Sequence, residues 1–180
     1  MGSKSRVCPV EKAGMLQGKV RKLVHNPKKI LSRYVKPGMN VLDFGCGPGM
    51  FSIEMADMGA RVIAADLQQE MLDKLKENIG GTRFEENIVI RKCDENNINV
   101  GELVDFVLAF YVVHEVPDKK NLFSQFKKIM KEGSVLYIVE PSFHVSKNDF
   151  EETLAIAEEE GFKIVEKPRV FFSRTAVLKK

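Results

Sequence analysis

A chain of 180 residues, 44% apolar and 29% charged, has the make-up of one globular domain with a buried core, not of a disordered or fibrous protein. Its net charge is only +3, and the basic residues are scattered, among them Lys19, Arg21, Lys22, Lys28, Lys29 and the final Lys179-Lys180, which argues against a nucleic-acid partner. No apolar run reaches the ~20 residues of a membrane helix; the polar start lacks a signal-peptide core, and three distant cysteines, Cys8, Cys46 and Cys93, point to a reducing, cytoplasmic setting.

Residues 1–37 stand apart from the rest of the chain and read as a helical lid segment. Gly14–Val24 fits one helix, His25-Asn26-Pro27 breaks it, and Lys28–Tyr34 fits a second, ended by Lys36-Pro37-Gly38. From residue 38 to 180 strand-like and helix-like segments alternate. Val41–Phe44 is a strand, Phe51–Met58 a helix closed by Gly59, and Arg61–Ala65 a strand ending at Asp66. Gln69–Ile79 carries Met71, Leu72, Leu75 and Ile79 at helical spacing and stops at Gly80-Gly81. Ile88–Lys92 is a third strand. Val104–Phe110 is a near-continuous apolar run, as a central strand covered on both faces requires. Asn121–Lys131 is a helix, Val135–Val139 a strand, and Asn148–Glu160 a helix stopped by Gly161. Phe162–Glu166 and Val170–Leu178 form a terminal hairpin around Lys167-Pro168-Arg169. Such alternation predicts an α/β domain: a parallel, doubly wound sheet with helices on both faces and an antiparallel strand at the end.

The chemistry concentrates where the first strand meets the first helix, at Asp43-Phe44-Gly45-Cys46-Gly47-Pro48-Gly49. Glycines at alternate positions allow positive φ and close approach of a ligand. The helix after them is expected to turn its free N–H groups toward an anionic part of that ligand. Asp66 lies about twenty residues beyond the loop, the spacing of a ribose-binding acid. Leu67 is placed to pack on an adenine, and Asp94, after the third strand, to accept from its amino group. These positions imply an adenosine-containing ligand, with two candidates. Against a dinucleotide stand the bulky Met50 at the last loop position, the absence of a second domain, and Asp43, which repels a pyrophosphate but attracts a cationic amino group.

Asp43–Gly49 resembles motif I of the class I S-adenosylmethionine-dependent methyltransferases. Asp105-Phe106-Val107 through Phe110-Tyr111-Val112-Val113-His114-Glu115-Val116-Pro117-Asp118 is similar to the fourth-strand motif of the subgroup with the ubiquinone/menaquinone-biosynthesis and arsenite methyltransferases. The resemblance runs over roughly residues 38–178. It implies a Rossmann-like, mostly parallel seven-stranded sheet with the last strand antiparallel, and S-adenosyl-L-methionine as cofactor. It further implies that Asp43, Gly45, Cys46, Gly47 and Gly49 hold the methionine part and Asp66 the ribose. Leu67, Asp94 and Glu95 would surround the adenine, and Phe110 would close over the methionine end. The chain departs from the family pattern at Phe110, often polar there, and at Glu115, often a second histidine.

Methyl transfer from a sulfonium requires alignment and exclusion of water, and a base only where the acceptor carries a proton. Candidates at the expected sheet edge are His114, Tyr111, Glu115, Glu140, His144 and His25, with His114 the preferred catalytic residue. A small-molecule acceptor is expected; the alternative is a non-catalytic S-adenosylmethionine-binding partner or sensor.

Overall fold

The computed structural model describes residues 25–180, so the expected helix Gly14–Val24, with Cys8, Lys19, Arg21 and Lys22, lies outside the described residues. The strands are β1 Asn40–Phe44, β2 Arg61–Asp66, β3 Ile88–Lys92, β4 Val104–Phe110, β5 Met130–Pro141, β6 Lys163–Glu166 and β7 Ser173–Lys179. The helices are α1 Pro27–Leu31, α2 Met50–Asp57, α3 Gln69–Ile79, α4 Lys119–Ile129 and α5 Lys147–Glu159.

The seven strands make one sheet in the order β3-β2-β1-β4-β5-β7-β6. β1 lies parallel between β2 and β4, and β2–β3 and β4–β5 are also parallel. β7 runs antiparallel between β5 and β6, so the terminal hairpin and its antiparallel strand are as expected. Alternate residues of the central strands feed two cores. Val41, Phe106 and Leu108 face Leu31, Met55, Leu72 and Leu75 of α1–α3. Leu42, Val107 and Ala109 face Leu122, Phe126 and Leu154 of α4 and α5. Burial on both faces is what a near-continuous apolar strand provides. Of the segment expected as a lid, the described part lies against the domain, with Leu31 and Val35 fully within the first core.

The chain fills β1, β2 and β3 outward to one edge, then returns to place β4 on the other side of β1. This reversal opens a crevice beyond the C-terminal ends of β1 and β4.

Several boundaries differ from expectation for local reasons. α1 ends at Leu31 rather than Tyr34; Pro27 opens it and the Asn26 side chain accepts from the Lys29 amide. α4 begins at Lys119 because Asp118 caps it, its side chain accepting from the Asn121 amide at 2.9 Å. It ends before Met130, whose extended backbone (φ −82°, ψ 133°) already belongs to β5. β5 is therefore longer than Val135–Val139. Its register against β4 jumps from Val104–Met130 to Phe106–Val135, an irregularity that contains Gly133 at φ +73°. Phe162 belongs to the turn that ends α5 rather than to β6: its amide donates to the Ala157 carbonyl after Gly161. β7 starts at Ser173, after a turn closed by its amide on the Val170 carbonyl.

Candidate functional site

A cavity of about 730 Å³ lies at the predicted crevice, within the roughly 300–1,000 Å³ typical of small-molecule sites. Asp43, Gly45, Cys46, Gly47, Asp66, Leu67, Asp94, Glu95, Phe110 and His114 all line it, brought from the ends of β1, β2, β3 and β4. Gly49 does not; it opens α2 at φ +93° and packs against Leu75.

The loop after β1 is glycine-rich for two distinct reasons. Gly45 has φ +71°, and a Cβ there would stand 2.5 Å from Cγ2 of Val112. Gly47 has φ +52°, yet nothing lies within 4 Å of where its Cβ would be. The first glycine serves the protein's own packing; the second lines the cavity and has open space where a side chain would begin. The loop amides turn inward. Those of Gly45 and Cys46 donate to the Ala65 carbonyl at 2.8 and 3.1 Å, and that of Gly49 to the Cys46 carbonyl. The Gly47 amide donates to Oδ2 of Asp66 at 2.8 Å. Ala65 and Asp66, at the end of β2, thus accept the amides of Gly45, Cys46 and Gly47.

Asp43 is 2% exposed. The Ser52 hydroxyl donates to its Oδ2 at 2.5 Å. Burial pushes its carboxyl up to about 7, against the lowering effect of Ser52 and with the charge of Asp66 adding to the rise. Asp66 accepts from the amides of Gly47 and Gln68, the latter at 2.8 Å. Burial pushes this carboxyl up too. Each of its oxygens retains a further lone pair after these bonds. After β3, Oδ1 of Asp94 accepts from the Asn96 amide at 3.1 Å and shapes the turn that carries Glu95. Cys46 and Cys93 are free and buried. Burial pushes the Cys46 thiol well up and that of Cys93 to about 12, so neither is a ready thiolate. Among the described residues no group of three or more His, Cys, Asp or Glu suits a metal ion.

The other half of the cavity adjoins the end of β4. Phe110 is buried, its ring 4.3 Å from that of Phe51. Tyr111 adopts φ +62°, rare for a residue with a side chain. Its amide donates to the Val139 carbonyl at 2.7 Å. Its hydroxyl lies 2.7 Å from Oγ of Ser173 and 3.0 Å from Nε2 of His25. His25 also stands 3.2 Å from the Phe171 carbonyl, so it joins the site's rim through Tyr111 rather than lining the cavity.

His114 sits in a 3₁₀ turn, Val113–Glu115. Its Nδ1 donates to Oε2 of Glu140, a residue 1% exposed at the end of β5. Oε1 of Glu140 accepts from the Val113 amide at 2.9 Å. The carboxylate accepts only, so it sets the tautomer with hydrogen on Nδ1 and leaves Nε2 as the basic atom. Sequence alone did not join these two residues. The signal for it was their position at the C-terminal ends of adjacent parallel strands. His144 packs edge-on to His114, ring centres 5.0 Å apart. Glu115, His144 and Tyr111 line the cavity, with Gln68 and Phe143, which sequence reasoning missed.

A profile described as a methyltransferase domain matches residues 35–169. The tRNA 5-carboxymethoxyuridine methyltransferase of Escherichia coli (strain K12) is 25% identical over 130 residues, covering 70% of this chain and 50% of that protein. The ribosomal protein L11 methyltransferase of Dictyoglomus thermophilum is 31% identical over 144 residues, covering 74% and 45%. The chain thus spans about half the length of the curated relatives it matches. Among solved structures, that of a SAM-dependent methyltransferase from Aquifex aeolicus superimposes with a TM-score of 0.84 at 24% identity, covering 96% of this chain and 98% of that one.

Proposed function

The chain belongs to the methyltransferase-domain family, and from that premise we propose that it transfers the methyl group of S-adenosylmethionine by in-line displacement to a small-molecule acceptor. The observation that carries this reading is one cavity that joins a bare glycine backbone, buried acids and a histidine–carboxylate pair.

The residues fit this cofactor. Asp43 and Asp66 offer acceptors for an ammonium and for ribose hydroxyls, and Gly47 leaves room for the ligand. In this reading Asp43 and the backbone of Gly45, Cys46 and Gly47 hold the methionine part. Gly49 acts from behind, by allowing the turn into α2. Asp66 holds the ribose, while Leu67, Asp94 and Glu95 surround the adenine. Phe110, held by Phe51, walls off the methionine end. When bound, the cofactor supplies an electrophilic methyl on a sulfonium. His114 takes the acceptor's proton at Nε2, and Glu140 positions it and stabilises the imidazolium that results. A small acceptor is supported by the bounded cavity and by its wall, which among the described residues contains no Lys or Arg for a phosphate backbone.

Calorimetry with S-adenosylhomocysteine tests the cofactor half. Asp66→Ala is expected to weaken binding at least tenfold, and unchanged affinity would sink the assigned pose. With an acceptor in hand, His114→Asn and Glu140→Gln are expected to lower kcat by about 10²–10⁴ and by a smaller factor respectively, each leaving S-adenosylhomocysteine affinity intact.

A further inference from the structure

We propose that the acceptor is a cationic amine carrying an apolar group, methylated on nitrogen; this rests on the reading of the cavity as a methyl-transfer site. The first ground is charge. Asp43, Asp66, Asp94, Glu95, Glu115 and Asp118 line the cavity, and among the described residues no Lys or Arg does. Among the described residues Lys92 is a nearby cation; its ammonium donates to the Leu67 carbonyl and lies outside the lining.

S-adenosylmethionine brings a sulfonium, an ammonium and a carboxylate, a net charge of +1. The six lining carboxyl groups outnumber that single positive charge. Among the described residues the lining therefore stays acidic with its cofactor in place. Such a cleft concentrates cations and repels anions. Among the described residues, a carboxylate or phosphate acceptor meets lining acids and no lining Lys or Arg, an arrangement that favours an ammonium.

The second ground is independent of charge. An ammonium has no lone pair and cannot attack until it loses a proton, so a site for amines needs a base. His114 is one, its basic Nε2 set by the buried Glu140. In the balanced reaction, one N–H proton passes to Nε2 of His114, and the freed lone pair forms a C–N bond to the methyl carbon. The C–S bond breaks and its pair stays on sulfur. The products are a methylated ammonium and a neutral thioether, and His114 returns its proton to water.

The third ground is the wall around this histidine. Tyr111, Phe110 and Phe143 line the same half of the cavity. Aromatic faces attract an ammonium and also cover an apolar substituent. Glu115, next to His114 in the same 3₁₀ turn, is the carboxylate assigned to the acceptor's charge.

The test uses the full chain saturated with S-adenosylhomocysteine, whose own binding is measured first. Phenethylammonium, 2-phenylethanol and phenylacetate are then titrated, and after them butylammonium, butanol and butyrate. At least one ammonium is expected to bind tenfold or more tightly than its alcohol, with the carboxylate weakest, and Glu115→Gln is expected to reduce that preference at least threefold. Equal affinities within both series, a tighter alcohol or carboxylate, or no binding by either ammonium would overturn the inference. A folded protein that fails to bind S-adenosylhomocysteine instead overturns the cofactor reading beneath it.

Discussion

At Asp43 a buried carboxyl costs the fold stability wherever it is ionised. Its carboxyl is pushed from an ordinary 3.8 to about 7 by burial. Between those values the folded state keeps a proton that the unfolded state has lost, so stability falls as pH rises from about 4 to about 7 and the full cost stands above 7. Asp43→Asn removes this dependence while leaving an oxygen to accept from Ser52. It is expected to stabilise the ligand-free protein at pH 8 by on the order of 2–4 kcal/mol, an advantage that vanishes toward pH 4. Melting curves across that range check the sign. Docking an ammonium beside Asp43 favours the ionised form, so cofactor binding near pH 7 is expected to release protons. Calorimetry in buffers of different ionisation enthalpy measures that release, and the Asn variant loses it.

Residue types in this site were legible because their reasons are local. Gly45 and Gly47 need backbone freedom, and Asp43 and Asp66 end apolar strands. What sequence left open was pairing. Glu140 and His114 are 26 positions apart, and only the parallel register of β4 and β5 brings their side chains together. The same holds for Tyr111, which periodicity treats as a packing residue and the fold makes a junction of β4, β7 and His25.

At the scale of elements, periodicity and turn residues located every strand and α-helix from β1 onward, with errors confined to ends, and passed over the short 3₁₀ turns. Those ends are set by caps and turns that a hydrophobic pattern does not register. Asp118 opens α4 two residues early; Met130 looks like a helical core residue but is the first residue of a strand. Two substitutions separate these devices. Asp118→Ala is expected to cost about 1 kcal/mol through loss of the cap. Gly45→Ala meets both the left-handed backbone and Val112, and is expected to cost roughly 1–3 kcal/mol or more. Urea denaturation measures both. The glycine variant is expected to lose S-adenosylhomocysteine binding as well, since Val112 and Gly45 share the cavity wall.

Taken whole, the molecule places its candidate site residues at the C-terminal ends of strands and in the loops that follow them, with β1 and β4 as the shared axis of both cores. Ligand that binds only this folded arrangement adds to global stability. S-adenosylhomocysteine at 100 times its Kd is expected to contribute about 2.7 kcal/mol. For a chain of this size that raises Tm by roughly 5–11 °C, and a scan with and without ligand reads it directly. The architecture was legible from strand–helix alternation. The cavity's acidity was not, because it is the sum of carboxyl groups drawn from two strands and several loops far apart in the sequence.

The chain has no tryptophan and three tyrosines, Tyr34, Tyr111 and Tyr137. Tyr34 and Tyr137 pack together, ring centres 5.1 Å apart, and Tyr34 donates to the Glu166 carboxylate. Only Tyr111 lines the cavity. The protein thus carries its own optical probe: a change in ultraviolet emission on adding a ligand that itself neither absorbs nor emits there is expected to come from the Tyr111 ring in the cavity wall, without any label.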